Sequence, residues 1–365
     1  MSARYLAVMS ADDATLDDAR PAEVHALAIA RELPGERIVC TSLGWAQAAR
    51  TLAADRPSAC VTAWFLDLYR LERAREASLA DAAEPTTVFI CTPDMPPGPF
   101  DIVVLPFAVD GEAELTRDLI QQAMQRLRIG GRLVAAIDNP RDTWLREQLA
   151  ATGERVRVRP DESSRAAGVA YLLEKTAEPK RIRDFRCSFR FRDRGRLLEA
   201  VSRPGVFAHR RIDPAARHLL NAVDVAPGTH VLDIGCGSGC VAIGIAARDD
   251  QVRVHAIDSA ARAVECTREG VARNGLANVT VALEAAGRVP DPGNYDLVLA
   301  NPPYYAGHRI SERFVEAAWE ALAPGGTLLL ATKKPRWYRE TLPLRWRDVA
   351  EEYVKKYHLI EAVRP

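Results

Sequence analysis

The stretch YDLVLANPPYYAG, Tyr295 to Gly307, decides how the C-terminal half of the chain is organised. Its apolar run from Leu297 to Ala300 is typical of a parallel strand that is buried on both faces of a sheet. Two successive prolines then end the strand, because neither has an N–H to donate to a neighbouring strand. Asn301 is therefore expected at the carboxyl end of a central strand, where open α/β sheets bind their ligands. A proline-rich turn without any chemistry explains the same residues equally well.

Length and composition indicate a globular protein of more than one domain. The 365 residues exceed the usual domain size of roughly 50–250, and 48% hydrophobic with 27% charged residues is ordinary for a globular chain. The seven cysteines form no C-x-x-C pair, so neither a zinc knuckle nor a disulfide framework is indicated and no metal is expected. The N-terminus lacks signal-peptide features, and no apolar run approaches the roughly 20 residues of a membrane span. We expect a cytoplasmic protein that does not contact a membrane.

A glycine-rich turn lies upstream in THVLDIGCGSG, residues 229–239. A strand over 230–234 contains Asp233, and the turn supplies Gly235, Gly237 and Gly239 before a helix. Glycine lets the backbone approach a ligand closely, and the helix N-terminus offers free N–H groups. The dinucleotide fingerprint would need its third glycine at Cys240. A carboxylate at Asp233 would repel a pyrophosphate and attract an ammonium, which favours S-adenosylmethionine over NAD.

Acidic residues end the next two predicted strands. Asp258 follows Gly239 by 258 − 239 = 19 residues and is placed to accept both ribose hydroxyls of a nucleoside. Glu284 ends the third strand, Val279 to Leu283, and is expected at the adenine edge. Either acid alone fits a solvated strand end, but the order of the two favours a cofactor site.

The N-terminal half repeats the pattern of the C-terminal half without its polar residues. FDIVVLPF at 100–107 parallels YDLVLANPPY, and Asp101 to Gly130 spans 29 residues, as does Asp296 to Gly325. Strands alternating with helices predict a doubly wound sheet in each half. The segment 105–107, Leu-Pro-Phe, stands where the second half has Asn301 and its prolines. We therefore expect a duplicated domain whose first copy is a scaffold or docking unit.

Two further details of the sheets are predicted. The glycine pairs at 130–131 and 325–326 should each end the helix that precedes them, and Tyr357 to Val363 should form the last strand, antiparallel and at the edge of the second sheet.

A basic segment joins the halves. Residues 180–217 contain eleven arginines, one lysine and four acids, a local charge of 12 − 4 = +8 on a chain of net charge +0. Arginines and phenylalanines alternate through 185–192, which predicts a strand with one basic and one aromatic face. Arginine binds phosphate in a bidentate manner, so RNA contact is expected, although a solvated strand over a buried aromatic face explains the same pattern. The residues expected to bind RNA are Arg186, Arg190, Arg192, Arg210, Arg211, Lys333 and Lys334.

These motifs resemble a known family. VLDIGCGSG, Asp258 and ANPPY look like the class I S-adenosylmethionine-dependent methyltransferases that modify planar nitrogens. The degenerate first copy and RPGVFAHRRIDPAARHLL, residues 203–220, make the chain similar to the ribosomal-RNA guanine-N2 methyltransferases. Two departures are Tyr304, where that family has Phe, and Glu284, where it has Asp. NPPY also occurs in adenine-N6 and protein glutamine-N5 methyltransferases.

The resemblance implies an α/β fold of two tandem Rossmann-like methyltransferase domains, each a mostly parallel doubly wound sheet with an antiparallel edge strand. The expected division is a degenerate domain over 1–178, a basic linker over 179–200 and a catalytic domain over 201–365. The implied partner is ribosomal RNA or a ribosomal subunit, and we expect a monomer.

The resemblance also implies the roles of the site residues. The catalytic set is Asn301, Pro302, Pro303 and Tyr304; the set binding S-adenosylmethionine is Asp233, Gly235, Gly237, Gly239, Asp258, Glu284 and Asn301. The Asn301 side-chain oxygen and the Pro302 carbonyl would accept hydrogen bonds from a guanine amine, and Tyr304 would stack on the base. The alternatives are adenine-N6 or glutamine-N5 methylation, or a non-catalytic RNA-binding assembly factor.

Overall fold

A computed structural model describes residues 19–80, 87–160, 167–285, 287–303 and 307–365, and it forms two compact units that meet in sequence between Phe185 and Arg186. The predicted linker, 179–200, does not coincide with this division. Residues 187–202 form a two-stranded hairpin that belongs to the second unit.

The first unit is a seven-stranded sheet with helices on both faces. Its elements in chain order are α1 (Pro21–Glu32), β1 (Arg37–Cys40), α2 (Gln47–Asp55), β2 (Cys60–Phe65), α3 (Leu68–Ala80), β3 (Thr87–Cys91), β4 (Phe100–Phe107), α4 (Ala113–Arg126), β5 (Leu127–Ile137), α5 (Trp144–Ala150), β6 (Arg157–Pro160) and β7 (Val169–Glu174). The strand order is β3-β2-β1-β4-β5-β7-β6, with β7 antiparallel to both of its neighbours. Successive residues of β1 and β4 enter different apolar clusters, one against α1 to α3 and the other against α4 and α5. The sheet is therefore doubly wound, as predicted.

The second unit repeats this architecture after the hairpin. Its elements are β8 (Cys187–Asp193), β9 (Arg196–Ser202), α6 (Pro214–Ala222), β10 (His230–Ile234), α7 (Cys240–Ala246), β11 (Arg253–Asp258), α8 (Ala261–Arg273), β12 (Val279–Leu283), β13 (Tyr295–Ala300), α9 (Gly307–Ala321), β14 (Leu322–Thr332), α10 (Arg336–Thr341), a 3-10 turn (Leu342–Leu344), β15 (Arg347–Val354) and β16 (Tyr357–Val363). The order β12-β11-β10-β13-β14-β16-β15 is that of the first sheet, strand for strand.

The internal repeat extends to individual contacts. The Asp101 carboxylate accepts a hydrogen bond from the Arg37 N–H at 2.9 Å, and the Asp296 carboxylate accepts one from the His230 N–H at 2.8 Å. In each sheet, an aspartate at the second position of the central strand thus binds the backbone at the start of the neighbouring strand. The duplication predicted from spacing is confirmed as a shared topology.

Two details of the prediction are wrong. The double glycines were expected to end a helix, but α4 ends at Arg126 and α9 at Ala321, and the glycines lie within β5 and β14. Each pair lies where the register between the strand and its central neighbour shifts. In the second unit, a Cβ on Gly326 would lie 2.9 Å from the Tyr295 carbonyl oxygen. The strand Tyr357–Val363 has the predicted bounds, but it is not at the edge, because β15 pairs along its outer side.

The hairpin is fastened to the second unit by polar contacts. Asp193 pairs with Arg248 at 2.8 Å, and both side chains are buried. The Asn274 side chain accepts a hydrogen bond from the Glu199 N–H and donates one to its carbonyl, at 3.1 and 2.6 Å. Phe191 is buried on the inner face, while Arg190 and Arg192 are exposed, so the predicted alternation of the strand is confirmed.

Candidate functional site

The predicted site residues leave the second sheet side by side. β10 and β13 are parallel neighbours, with Ile234 paired to Ala300. The glycine turn after Ile234 and Asn301 after Ala300 therefore start from the same edge of the sheet. This is the carboxyl edge, at which open α/β sheets bind ligands.

All three glycines of the turn have positive φ, at 75° for Gly235, 57° for Gly237 and 76° for Gly239. Their surroundings differ. A Cβ on Gly239 would lie 2.8 Å from Thr267 Cγ2, so this glycine allows α7 to pack against α8. Apart from Gly237 and its two neighbours in the chain, no atom of the described residues lies within 4 Å of a Cβ placed on Gly237, so this position faces open space. Gly237 is thus the part of the turn that a ligand can approach.

Asp258 holds the turn from the end of β11. Its carboxylate accepts a hydrogen bond from the Gly237 N–H at 2.9 Å and another from the Ala260 N–H at 2.9 Å. The Ile257 carbonyl accepts the N–H groups of Gly235 and Cys236. A carboxylate oxygen can accept more than one hydrogen bond, so Asp258 is chemically suited to bind hydroxyl groups beside the open face of Gly237.

Asp233 lies beneath the turn and is only 3% exposed. Its carboxylate accepts a hydrogen bond from the Ala242 N–H at 3.2 Å. Burial, with a smaller contribution from the nearby Asp258 carboxylate, raises the pKa of Asp233 to about 7. A cation placed beside this residue would favour the ionised form.

Glu284 follows β12 and its N–H donates to the Asp258 carbonyl at 3.0 Å. Its side chain pairs with Arg288 at 3.5 Å. Its contact with an adenine remains a prediction.

Asn301 has a defined partner. Its Nδ2 donates to Asp213 Oδ2 at 3.1 Å, which leaves Oδ1 as the acceptor end of the amide. Pro302 is buried and Pro303 half-buried. Tyr304 lies outside the described residues, so its stacking role stays a prediction.

Asp213 was not singled out from the sequence. It caps α6, since its carboxylate accepts a hydrogen bond from the Ala215 N–H at 2.8 Å. Burial raises the pKa of Asp213, while the N–H groups at the helix start, the Asn301 amide and the Lys333 ammonium act in the opposite direction. An acid followed by proline before a helix is a recognisable N-cap signal. Nothing in that signal points to Asn301, which lies 88 residues away in sequence.

All seven residues predicted to bind RNA are exposed: Arg186, Arg190, Arg192, Arg210, Arg211, Lys333 and Lys334. Arg186 also pairs with Glu265 at 2.9 Å and Glu269 at 3.4 Å, so its guanidinium is engaged within the unit.

The first unit lacks this chemistry at the equivalent positions. Strand register places Cys40 where the second unit has Asp233, and Pro106 where it has Asn301. The turn after β1 is closed from inside by Glu23, which is 1% exposed. Its carboxylate accepts hydrogen bonds from the Ser42 hydroxyl, the Leu43 N–H and the Ala48 N–H. These donors are therefore bound to the protein itself.

Among the described residues, no group of three or more His, Cys, Asp or Glu side chains is arranged to hold a metal ion. The helices within the described ranges include none that combines the length and apolar character of a membrane span.

The two units are a tandem pair of Rossmann-like domains, and the glycine turn lies in the second. The family described as methyltransferase small domain matches residues 198–360, slightly less than half of the chain.

Individual relatives are methyltransferases of ribosomal RNA. The chain is 39% identical over 137 residues to the ribosomal RNA small subunit methyltransferase C of Pseudomonas aeruginosa, covering 36% of this chain and 41% of that protein. It is 36% identical over 163 residues to the protein of the same name from Chromohalobacter salexigens, covering 41% of this chain and 47% of that protein. The match thus spans less than half the length of these relatives.

The structure of the Thermus thermophilus 16S rRNA N2 methyltransferase RsmC, in complex with AdoMet and guanosine, matches 95% of this chain and 92% of that chain. The TM-score is 0.77 at 22% identity. At that identity the likeness shows the fold, which extends over both units.

Proposed function

We propose that this protein transfers a methyl group from S-adenosylmethionine to the exocyclic N2 amine of a guanine in ribosomal RNA. The principal support is the Asn301 amide. It leaves the sheet beside the glycine turn, and because Asp213 occupies its Nδ2, its Oδ1 is the atom left for an incoming amine. The family match over residues 198–360 supports the reaction class.

The turn fits S-adenosylmethionine in three respects. The open space at Gly237 admits a ligand against the backbone, Asp258 offers acceptors for ribose hydroxyls, and Asp233 supplies a buried negative charge for an ammonium. The cofactor, when bound, supplies a methyl group on a positively charged sulfur. We assign its binding to Asp233, Gly237 and Asp258, with Gly235 and Gly239 shaping the turn and Glu284 at the adenine edge. Asn301 lies in the same set, but we assign its amide to the target amine.

The residues around Asn301 act on the nucleophile. The guanine N2 lone pair is delocalised into the ring, so the amine must be oriented before it can attack. Asn301 Oδ1 and the Pro302 carbonyl oxygen accept hydrogen bonds from the two N–H groups of the guanine amine. These contacts direct the nitrogen lone pair towards the methyl group. Such alignment is worth up to about 7–11 kcal/mol in well-oriented reactions. The nitrogen becomes acidic once it is methylated, so its proton leaves to water without a strong base.

The base must leave its stack to reach this pocket, which costs a few kcal/mol. Tyr304 would recover part of that cost by stacking, worth about 1–3 kcal/mol. Exposed Arg190, Arg192, Lys333 and Lys334 supply phosphate contacts for the surrounding RNA. We assign Arg186 a supporting role, because its guanidinium is engaged by Glu265 and Glu269.

The names of the relatives supply the class of RNA. Both curated proteins are methyltransferases of small-subunit ribosomal RNA, and the RsmC structure holds guanosine. The first unit, whose turn is closed by Glu23, then serves as a scaffold or RNA-docking unit. We propose a cytoplasmic monomer that acts on ribosomal RNA or an assembled subunit.

The test offers naked ribosomal RNA, small ribosomal subunits, DNA and protein to the enzyme with tritiated cofactor, followed by mass spectrometry of the labelled nucleosides. We expect N2-methylguanosine from RNA or the subunit. Label in adenine N6 or in protein glutamine would overturn the proposal in favour of a different acceptor. Absence of S-adenosylmethionine binding in calorimetry would indicate a non-catalytic RNA-binding factor.

A further inference from the structure

Asp213 contacts two groups with one carboxylate oxygen. Oδ2 accepts a hydrogen bond from the Ala215 N–H at 2.8 Å and another from Asn301 Nδ2 at 3.1 Å. Pro214 follows at the first position of α6, where its fixed φ favours the helix. The carboxylate is therefore held in place by the helix that it caps.

This contact decides which way the Asn301 amide points. The oxygen and nitrogen of an asparagine amide have nearly the same shape, and a half-turn about the last side-chain bond exchanges them. Only the oxygen can accept a hydrogen bond from an amine. An ionised carboxylate has no hydrogen to donate, so it binds the NH2 end of the amide and disfavours the flipped orientation.

The first unit caps the corresponding helix, α1, in a different way. At the position of Asp213 it has Arg20, and at the position of Lys333 it has Asp138. Arg20 and Asp138 form an ion pair at 3.0 Å, and Asp138 accepts the Ala22 N–H at 2.5 Å. Ala22 is the counterpart of Ala215. The equivalent N–H is thus capped in both units. In the second unit the cap is Asp213, directly before the helix, and in the first unit it is Asp138, directly after β5.

We propose that Asp213 is a positioning residue that fixes the Asn301 amide with its oxygen towards the target amine. The proposal rests on the function proposed above for Asn301. A helix cap alone does not require the carboxylate to stand at 213, because the first unit caps the same N–H with the charges reversed. The second unit has the arrangement that places an acceptor against Asn301 Nδ2.

Two single substitutions separate capping from positioning. Serine and asparagine cap helices about as well as aspartate. Asp213→Ser should keep the cap but is too short to reach Asn301. Asp213→Asn should keep both contacts, because the one oxygen that caps the Ala215 N–H is also the acceptor for Asn301 Nδ2. We expect kcat on RNA to fall by about tenfold or more in Asp213→Ser, since small misplacements cost up to about 100-fold, and to stay much closer to wild type in Asp213→Asn. KM for RNA, the Kd for S-adenosylmethionine and Tm should change little.

A charge exchange gives the sharper test. Asp213→Arg combined with Lys333→Asp reproduces the pair of the first unit, so we expect it to fold with a Tm near that of wild type. Its arginine would donate to Asn301 Oδ1 and hold the amide the wrong way round, so kcat at saturating RNA should be lost, whereas loss of the Lys333 phosphate contact alone should raise KM for RNA. Asp138→Ser is the matched control, because it removes the corresponding cap in the first unit and should lower Tm while leaving kcat unchanged.

The outcomes are distinguishable. If wild-type protein makes no N2-methylguanosine, the proposed function fails, whatever the variants do. If wild type is active and Asp213→Ser or the charge exchange retains wild-type kcat, Asp213 is only a helix cap and ion-pair partner, and the inference is overturned. If kcat falls only in parallel with Tm, the role is structural, and the inference is equally overturned.

Discussion

Cys40 and Asp233 occupy the same place in the two sheets. Cys40 pairs with Val104 of β4, Asp233 pairs with Leu299 of β13, and each strand then enters the turn before a helix. Both residues are buried, but only Asp233 has a charge to offer a cation. The two units therefore share a fold and differ in whether the turn can attract a ligand.

One consequence concerns stoichiometry. The turn donors of the first unit are bound by Glu23, whereas the second unit is open at Gly237. We expect isothermal titration calorimetry to show one molecule of S-adenosylmethionine per chain. Asp233→Asn should weaken that binding strongly. A second binding event that survives this substitution would contradict the assignment of the first unit as a scaffold.

The same carboxylate should lower the stability of the ligand-free protein. Because burial raises the pKa of Asp233 to about 7, the folded chain binds more protons than the unfolded chain between about pH 4 and pH 7. Its contribution to unfolding free energy therefore becomes less favourable as pH rises through this window, and the full penalty applies above pH 7.

Asp233→Asn should consequently raise Tm at pH 8 by about 3 °C or more, on a scale of 2–4 °C per kcal/mol. It should have little effect near pH 4.5, where wild-type Asp233 is protonated in the fold. Thermal scans without cofactor at both pH values measure this. A variant that is less stable than wild type at pH 8 would show that the charge stabilises the turn.

Gly237 and Gly239 form a matched pair. Alanine at either position adopts a left-handed conformation at a cost of about 1 kcal/mol. At Gly239 the new Cβ would also meet Thr267, so the loss of stability should reach about 2–4 kcal/mol. At Gly237 the new Cβ projects into open space, so Gly237→Ala should mainly weaken cofactor binding. Denaturant titration and calorimetry on both variants measure the difference, and equal effects of the two substitutions on Kd would argue against Gly237 as the ligand-facing position.

The exposed arginines of the hairpin should contribute to RNA affinity through phosphate contacts. Changing Arg190 and Arg192 to glutamine should weaken RNA binding and reduce the slope of log K against log salt by about 1.4–1.8, the value for two lost contacts. Arg194→Gln is the control, because this arginine lies in the same hairpin but pairs with Asp224 at 2.6 Å. An unchanged salt slope in the double variant would assign the hairpin a purely structural role.

Much of the fold was predictable from local pattern. The strands over Tyr357–Val363 and Val279–Leu283 have the bounds that their apolar runs indicated. The duplication was visible in the equal spacing from Asp101 and from Asp296. These features depend on residues close in sequence or on a regular period, which a single sequence displays directly.

The contacts that were missed join distant parts of the chain. The order of the antiparallel strands could not be predicted, because β15 reads as an exposed charged segment and is fixed only by pairing with β16. The link from Asp213 to Asn301 spans 88 residues and depends on α6 beginning beside the end of β13. The role of the glycine pairs was predicted wrongly because a glycine pair after a helix resembles a helix stop signal. Here the glycines are required because a neighbouring backbone carbonyl leaves no room for a side chain.

The central claim is that Asn301 presents an acceptor to a guanine amine beside bound S-adenosylmethionine. Its most direct test is mass-spectrometric quantification of N2-methylguanosine in ribosomal RNA incubated with wild-type protein or with Asn301→Ala, together with calorimetric Kd values for the cofactor. We expect wild-type protein to form N2-methylguanosine. Asn301→Ala should lose at least about 100-fold in kcat, in the range seen when one oriented hydrogen-bonding group is removed from an active site. Its Kd for the cofactor should be nearly unchanged. Wild-type turnover by Asn301→Ala, or methylation of another atom by the wild-type enzyme, would contradict it.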